Sequence, residues 1–205
     1  MTPSTARRDF LGRLAALGAA VGLMPAHTAS AATTITAVDD PWMKRVTGTH
    51  KVVFHSHMPT EGLALRWAQT YLDTQKTAYG IWEKDCTVIV GLNGRSIGWF
   101  FNDALWAKYP SIGEVMGMAG ARSPMKDAIA TLTSRQVILL ACANSIRASG
   151  GRFLPAEQRA DRERTTAFGE EARANLLPGV EVVPAMIVTL QQAQERGCRY
   201  VYAGG

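Results

Sequence analysis

Cys142 is the residue whose type and position most clearly allow chemistry. It directly follows the continuous apolar run 137–141, which has the character of a strand buried on both faces. Asn144 and Ser145 come next, in positions that can cap a helix. A helix dipole and free backbone N–H groups lower the pKa of a nearby thiol and make it a nucleophile. The alternative interpretation is a small core residue, because free cysteine is among the most buried residue types.

Two histidines end another predicted strand, in the string His55-Ser56-His57-Met58. Parallel strands deliver their carboxyl ends to one edge of a sheet, which could bring His55 and His57 near Cys142. A histidine there could accept the thiol proton or stabilise the thiolate as an imidazolium. Together with Met58 and Cys142, the same histidines are also ligand types suited to copper or zinc. A purely structural role for each histidine remains an alternative.

The second predicted strand ends in the turn sequence Gly91-Leu92-Asn93-Gly94-Arg95. Glycines there permit a tight turn and a close backbone approach, and Arg95 can hold an anionic group. The predicted substrate-binding residues are His55, His57, Asn93, Arg95, Asn144 and Ser145. An ordinary turn is the alternative for Asn93-Gly94. The chain contains no P-loop and no GxGxxG, so the sequence implies no nucleotide, and no cofactor is predicted.

The elements that would position these residues follow a regular alternation. Short β-branched runs, each bounded by a turn signal or a charge, are separated by stretches with helical spacing. Thr60 is the predicted N-cap of the first helix, and Gly197 is predicted to end the last one. This alternation needs crossover connections and predicts an α/β fold, a three-layer α/β/α sandwich with a mainly parallel five-stranded sheet. The predicted strands are residues 52–55, 87–90, 137–140, 180–183 and 200–202.

The other two cysteines, Cys86 and Cys198, precede the second and fifth predicted strands. They are therefore expected at the sheet edge opposite Cys142, in structural roles. An odd number of cysteines, three, leaves at least one free, modified or paired between chains in an oxidising compartment.

The N-terminus has the features of a cleavable export signal over residues 1–31. Arg7-Arg8 precedes Phe10-Leu11, an apolar run at 14–26 follows, and Ala29-Ser30-Ala31 is a small-x-small cleavage site. The paired arginines resemble a twin-arginine signal and predict a periplasmic location. The apolar run is shorter than the roughly 18 residues that a membrane span needs, although a retained anchor is an alternative. Residues 32–48 are predicted to be an N-terminal arm, and residues 49–205 a single domain.

The charge pattern does not suggest a polyanionic partner. The formal net charge is +5, part of which belongs to the signal, and the charged residues are scattered. Without a basic stripe or an interleaved aromatic ladder, nucleic-acid binding is not predicted. No membrane association is expected after the signal is cleaved.

Two blocks of sequence resemble the DsrE/DsrF-like family of intracellular sulfur oxidation and sulfur-relay proteins. They are VILLACANSIRA around Cys142 and LLPGVEVVPAMIVTLQQAQERGCRYVYAGG at the C-terminus. The resemblance implies a flavodoxin-like α/β/α fold and frequent assembly into homo-oligomers. It also implies that Cys142 carries sulfur as a persulfide, with Asn144 in the adjacent turn.

The leading hypothesis is a periplasmic sulfur-handling protein in which Cys142 passes sulfane sulfur between a donor and an acceptor, either proteins or small thiols. The thiolate would attack a persulfide or thiosulfonate, with His55 or His57 as its proton partner. A second hypothesis is a binding module for a metal or small ligand at His55, His57, Met58 and Cys142. A third is an assembly subunit, suggested by the five tryptophans of the chain.

Overall fold

A five-stranded sheet in which all neighbouring strands run parallel lies at the centre of the fold. The computed structural model describes residues 40–118 and 120–204. The strands are β1 (His50–Ser56), β2 (Cys86–Leu92), β3 (Ile138–Cys142), β4 (Val180–Val183) and β5 (Arg199–Tyr202). The predicted α/β fold is confirmed, and all five predicted strands overlap a strand of the sheet.

Helices connect the strands, and 3₁₀ turns extend several of these connections. The helices are α1 (Leu63–Tyr79), α2 (Asp103–Lys108), α3 (Ser111–Met116), α4 (Lys126–Ser134), α5 (Ala143–Arg147), α6 (Gly150–Phe153), α7 (Arg162–Ala174) and α8 (Met186–Glu195). The 3₁₀ turns are Pro41–Arg45, Thr60–Gly62, Glu83–Asp85, Ser96–Phe100 and Ala156–Gln158.

The strand order, which the sequence did not reveal, is β4-β3-β2-β1-β5. The chain steps in one direction from β1 to β4, and right-handed crossovers in one direction place their helices on one face. The last connection returns across the sheet to the far side of β1, which places α8 on the other face. In the flavodoxin order the second strand, rather than the last, lies on that side of the first strand.

Two hydrophobic cores lie on the two faces of the sheet. The larger one packs β-strand residues against α1, α4 and the 96–116 region. The smaller one lies under α8 and joins Val53, Ile89 and Ile138 to Met186 and Ala193. Because β3 contributes buried residues to both cores, all five of its residues are buried.

The 3₁₀ turn Pro41–Arg45 belongs to the packed structure, although residues 32–48 were predicted to be an arm. Trp42 is 1% exposed and Met43 6%, and both pack into the smaller core. Arg45 also forms an ion pair with Glu181 of β4. Because the residues around Trp42 are mostly polar, the sequence did not predict that this turn packs into the core. The predicted export signal and the rest of the arm up to residue 39 lie outside the described residues.

Of two predicted helix ends, the one at Gly197 is confirmed and the one at Thr60 is wrong. Gly197, with φ 87°, follows the C-cap Arg196 and ends α8 as predicted. Thr60 does not cap α1, which begins only after the left-handed Gly62. The Thr60 hydroxyl instead donates to the carbonyl oxygen of Ala203, 3.1 Å away, and ties the 3₁₀ turn Thr60–Gly62 to the end of β5.

Across residues 40–118 and 120–204, no helix combines the length and the hydropathy required to cross a membrane.

Candidate functional site

Cys142 lies at the carboxyl end of the sheet, where the sequence placed it. It is the last residue of β3 and the N-cap of α5. The residue is only 4% exposed, with its side chain toward the smaller core under α8. A reactant therefore meets a sulfur atom recessed between the sheet and a helix.

The N-termini of two helices surround this sulfur atom. The backbone N–H of Met186, the first residue of α8, donates to Cys142 Sγ at 3.4 Å. The nearby Ser145 hydroxyl and the backbone N–H groups of Asn144 and Ser145, in α5, also lower the pKa of the Cys142 thiol. Burial by itself raises the pKa of the Cys142 thiol, but these hydrogen bonds outweigh burial, so the pKa lies below its ordinary value.

A glycine in β2 allows α8 to approach the sheet beside Cys142. A Cβ atom on Gly91 would lie 2.6 Å from Met186 Sδ, closer than side-chain atoms pack. Gly91 pairs with Leu140 in the neighbouring strand β3, two residues before Cys142. The missing side chain at Gly91 therefore helps the first turn of α8 reach the sulfur.

The turn after β2 is hydrogen-bonded to α5, the other helix whose N-terminus lies near the sulfur. The backbone N–H of Gly94 donates to Ser145 Oγ at 2.9 Å. Gly94 has φ 57°, and a Cβ atom there would lie 2.6 Å from the carbonyl oxygen of His57. The predicted tight turn and close backbone approach are therefore present, and the Gly94 N–H holds the Ser145 hydroxyl in place.

The predicted pairing of a histidine with Cys142 does not match the hydrogen bonds of these residues. Strand β2 separates β1 from β3, so the two strand ends lie two inter-strand spacings, about 10 Å, apart. His55 Nδ1 lies 3.0 Å from the Tyr200 hydroxyl, and His55 Nε2 lies 3.0 Å from Asn93 Oδ1. His57 Nδ1 lies 2.6 Å from the hydroxyl of Tyr202, against whose ring it also stacks.

The surroundings of His55 favour its neutral form. In the neutral ring, Nε2 carries the proton, because Asn93 Oδ1 only accepts, and Nδ1 accepts from the Tyr200 hydroxyl. Burial lowers the pKa of His55, the bond to Asn93 raises it, and the nearby His57 lowers it further, with a net pKa below its ordinary value of 6.5. The sequence did not single out Tyr200 and Tyr202, although both lie on the predicted fifth strand.

The positions and hydrogen bonds of these residues give little support to the alternative hypothesis of a copper or zinc site. Among the described residues, no group of three or more His, Cys, Asp or Glu side chains could hold a metal ion. His55 already uses both ring nitrogens, and His57 uses Nδ1, in the bonds to Asn93, Tyr200 and Tyr202.

Cys86 and Cys198 differ from Cys142 in position and in electrostatics. Cys86 begins β2 and Cys198 immediately precedes β5, so both lie at the opposite edge of the sheet, as expected. They pack in different cores, and neither forms a disulfide. Burial raises the pKa of both thiols, and neither pKa is lowered by helix N–H groups.

Arg95 lies at the wall of a cavity of about 290 Å³. Arg152 and Arg159 line the same cavity and were not predicted from the sequence. Asn144 Oδ1 accepts a hydrogen bond from the Arg147 side chain.

Comparisons with known proteins show similarity of shape alone. The chain matches no protein-family model, and no curated protein matches it. A solved structure of a protein of unknown function from Methanobacterium thermoautotrophicum superposes with a TM-score of 0.46 and 18% sequence identity. The similarity covers 75% of this chain and 98% of that chain.

Proposed function

We propose that this protein is a sulfur carrier in which the Cys142 thiolate receives sulfane sulfur and passes it on. The observation that carries the proposal is the hydrogen bond that Sγ accepts from the backbone N–H of Met186, at the start of α8, together with a pKa that lies below its ordinary value. A thiolate is the nucleophilic form of cysteine, and the same donors can stabilise the anionic persulfide. The resemblance to the DsrE/DsrF-like family supports the same role.

The transfer is a displacement at sulfur. The Cys142 thiolate attacks the outer sulfur of a persulfide or thiosulfonate donor, a new S–S bond forms, and the donor's S–S bond breaks. The electron pair of the broken bond leaves with the donor thiolate or sulfite, and an acceptor thiolate later attacks the outer sulfur of the Cys142 persulfide. Because N–H donors lower the pKa of the thiol, a larger fraction of Cys142 is thiolate than in an ordinary cysteine.

The cellular setting proposed for this chemistry is the periplasm, reached through the export signal predicted at residues 1–31. Donor and acceptor would be proteins or small thiols, and the DsrE/DsrF-like resemblance supports a homo-oligomer. Metal binding is the less favoured alternative, since the described residues hold no cluster of three suitable ligands.

Mass spectrometry after exposure to a persulfide donor tests the proposal. Wild-type protein should gain about 32 Da, the mass of one sulfur atom, on the peptide that contains Cys142, and a thiol should remove it. Cys142→Ser should gain nothing at that peptide. Cys198→Ser is the matched control, because Cys198 is also 4% exposed, and it should load like wild type. Equal loading of Cys142→Ser and wild type would exclude sulfur carriage by Cys142.

A further inference from the structure

A cavity lined by three arginines has an unusual charge for its size. It measures about 290 Å³ and is lined by Arg95, Glu114, Val115, Gly151, Arg152 and Arg159. Three guanidinium groups and one carboxylate give this lining a formal charge of +2. Like charges around one space repel each other, and an anion with two negative charges inside the cavity neutralises the lining.

The cavity belongs to the face of the sheet opposite the Cys142 side chain. Val115, which lines the cavity, and Phe153, which follows Arg152, both pack with the larger core. Cys142 packs in the smaller core under α8. A ligand in the cavity is therefore bound apart from Sγ, and the site does not depend on the sulfur-carrier proposal.

The arginines of the cavity keep most of their hydrogen-bonding capacity for a ligand. In the part of the chain that the structure describes, Arg95, Arg152 and Arg159 form no ion pair with an acidic side chain. Arg152 Nη1 donates to the carbonyl oxygen of Ser145 at 3.3 Å, and Arg159 Nε donates to that of Leu154 at 2.7 Å. These bonds orient the two side chains, and each guanidinium has five N–H donors in total.

The position of the cavity in the fold also favours a ligand. Arg95 lies in the turn that follows β2, and α6, which contains Arg152, follows β3 and α5. Both residues therefore come after the carboxyl ends of neighbouring parallel strands. Open α/β sheets bind their ligands beyond these strand ends.

The carboxylate of Glu114 restricts which anion fits the cavity. Among the described residues, the exposed Glu114 forms no ion pair, although it shares the cavity with three arginines. An ionised carboxylate only accepts hydrogen bonds, so it repels an anion without protons and accepts from an anion that carries an O–H group. At pH 7 inorganic phosphate carries an O–H group, whereas sulfate has none.

We infer that this arginine cavity binds inorganic phosphate as the hydrogen phosphate dianion, with the guanidinium groups on its bare oxygens and Glu114 accepting from its hydroxyl. Guanidinium groups match the geometry of phosphate and bind it through paired charge-assisted hydrogen bonds. The volume of about 290 Å³ is at the lower end of the range for small-molecule sites, which favours a small ligand. A phosphate monoester matches Glu114 less well, because it has mostly lost its last proton at pH 7.

Calorimetric titration with inorganic phosphate at pH 7 and low ionic strength tests the site. The wild-type protein should show saturable binding. Arg152→Gln/Arg159→Gln should weaken this binding about tenfold or more, because two charge-assisted contacts are lost. The control is Arg162→Gln/Arg173→Gln, which removes the same charge from the exposed surface of α7 and should keep the wild-type affinity. Absence of saturable binding, or equal affinity in the two double variants, would overturn the inference.

Selectivity between phosphate and sulfate tests the role of Glu114. The wild-type protein should bind phosphate at least about tenfold more tightly than sulfate, and Glu114→Gln should lower this ratio about tenfold, because the glutamine amide can also donate. Glu157→Gln, which removes an exposed carboxylate from outside the cavity lining, should keep the wild-type ratio. Equal affinities of the wild-type protein for phosphate and sulfate would overturn the assignment to a protonated oxyanion. Tighter binding of glycerol 3-phosphate than of inorganic phosphate would overturn the assignment to free phosphate and assign the cavity to a phosphate monoester.

Discussion

The three cysteines show how strongly local hydrogen bonding controls the pKa of a thiol. Cys142 and Cys198 are equally buried at 4% exposure, yet the pKa of Cys142 is lowered and that of Cys198 is raised. Burial acts on both in the same direction. The difference comes from the groups around Cys142, because the Met186 N–H donates to its sulfur and the nearby Ser145 and Asn144 lower its pKa further.

Removing the Ser145 hydroxyl should weaken this effect measurably. In Ser145→Ala the pKa of Cys142 should rise, because the Ser145 hydroxyl is one of the groups that lower it. The rate of Cys142 alkylation by iodoacetamide, followed against pH by peptide mass spectrometry, gives this pKa. Thr131→Ala, which removes an exposed hydroxyl on α4, is the control and should leave the curve unchanged. An unchanged curve in Ser145→Ala would contradict the role of the hydroxyl.

His55 should make the protein less stable in mild acid. Its folded pKa lies below 6.5, so the unfolded chain binds a proton more readily than the folded one. The free energy of unfolding should therefore decrease as the pH falls below about 6.5, by up to about 1.4 kcal/mol per pH unit for this group. Urea unfolding at pH 7 and pH 5 should show a smaller loss in His55→Gln than in wild type.

The exposed His50 provides the matched control for this measurement. His50→Gln should keep the wild-type loss of stability between the two pH values, because its side chain is solvated in both states. The same loss in His55→Gln as in wild type would show that burial of His55 does not control the acid response.

At the scale of elements, the three helices between β3 and β4 pack closely against one another. Helix α7 packs against α5 and α6, and glycines make this contact possible. A Cβ atom on Gly150 would lie 2.4 Å from the backbone oxygen of Thr165, whereas one on Gly151 would meet nothing within 4 Å. Two adjacent glycines of α6 therefore have different roles.

This difference predicts that alanine substitutions at Gly150 and Gly151 change the stability of the protein in opposite directions. Gly150→Ala should destabilise the protein by about 1–3 kcal/mol, because the new methyl group collides with backbone rather than with a flexible side chain. Gly151→Ala should be neutral or stabilising by up to about 1 kcal/mol, since alanine favours the helix. Urea unfolding of the two variants compares them directly, and equal stabilities would argue against the close contact of α6 with α7.

The whole molecule is held together by two cores that draw on distant parts of the chain. The core under α8 combines Trp42 and Met43 with residues of the central strands and with residues 183–198. A segment near the start of the described chain thus covers the face of the sheet against which the Cys142 side chain lies.

Trp42→Ala should therefore destabilise the fold by about 3–5 kcal/mol, the usual cost of removing a buried aromatic side chain. Trp82, which is 59% exposed, is the control, and Trp82→Ala should cost less than about 1 kcal/mol. The free energies of unfolding in urea give both values. A small loss in Trp42→Ala would mean that the 3₁₀ turn Pro41–Arg45 does not contribute to the core.

The sequence alone determined the fold class and the position of Cys142 in the fold. Continuous apolar runs and helical stripes alternate clearly along the chain, and burial imposes these patterns locally. The placement of Cys142 after a buried run was sufficient to put it at the carboxyl edge of a parallel sheet.

Only the tertiary structure decided what lies around that sulfur. The strand order places β2 between the histidines and Cys142, and it brings the first residue of α8 to Sγ instead. Likewise, Arg95, Arg152 and Arg159 meet at one cavity although more than fifty residues separate the first two in the sequence. Strand order and helix placement depend on long-range packing, which local periodicity does not record.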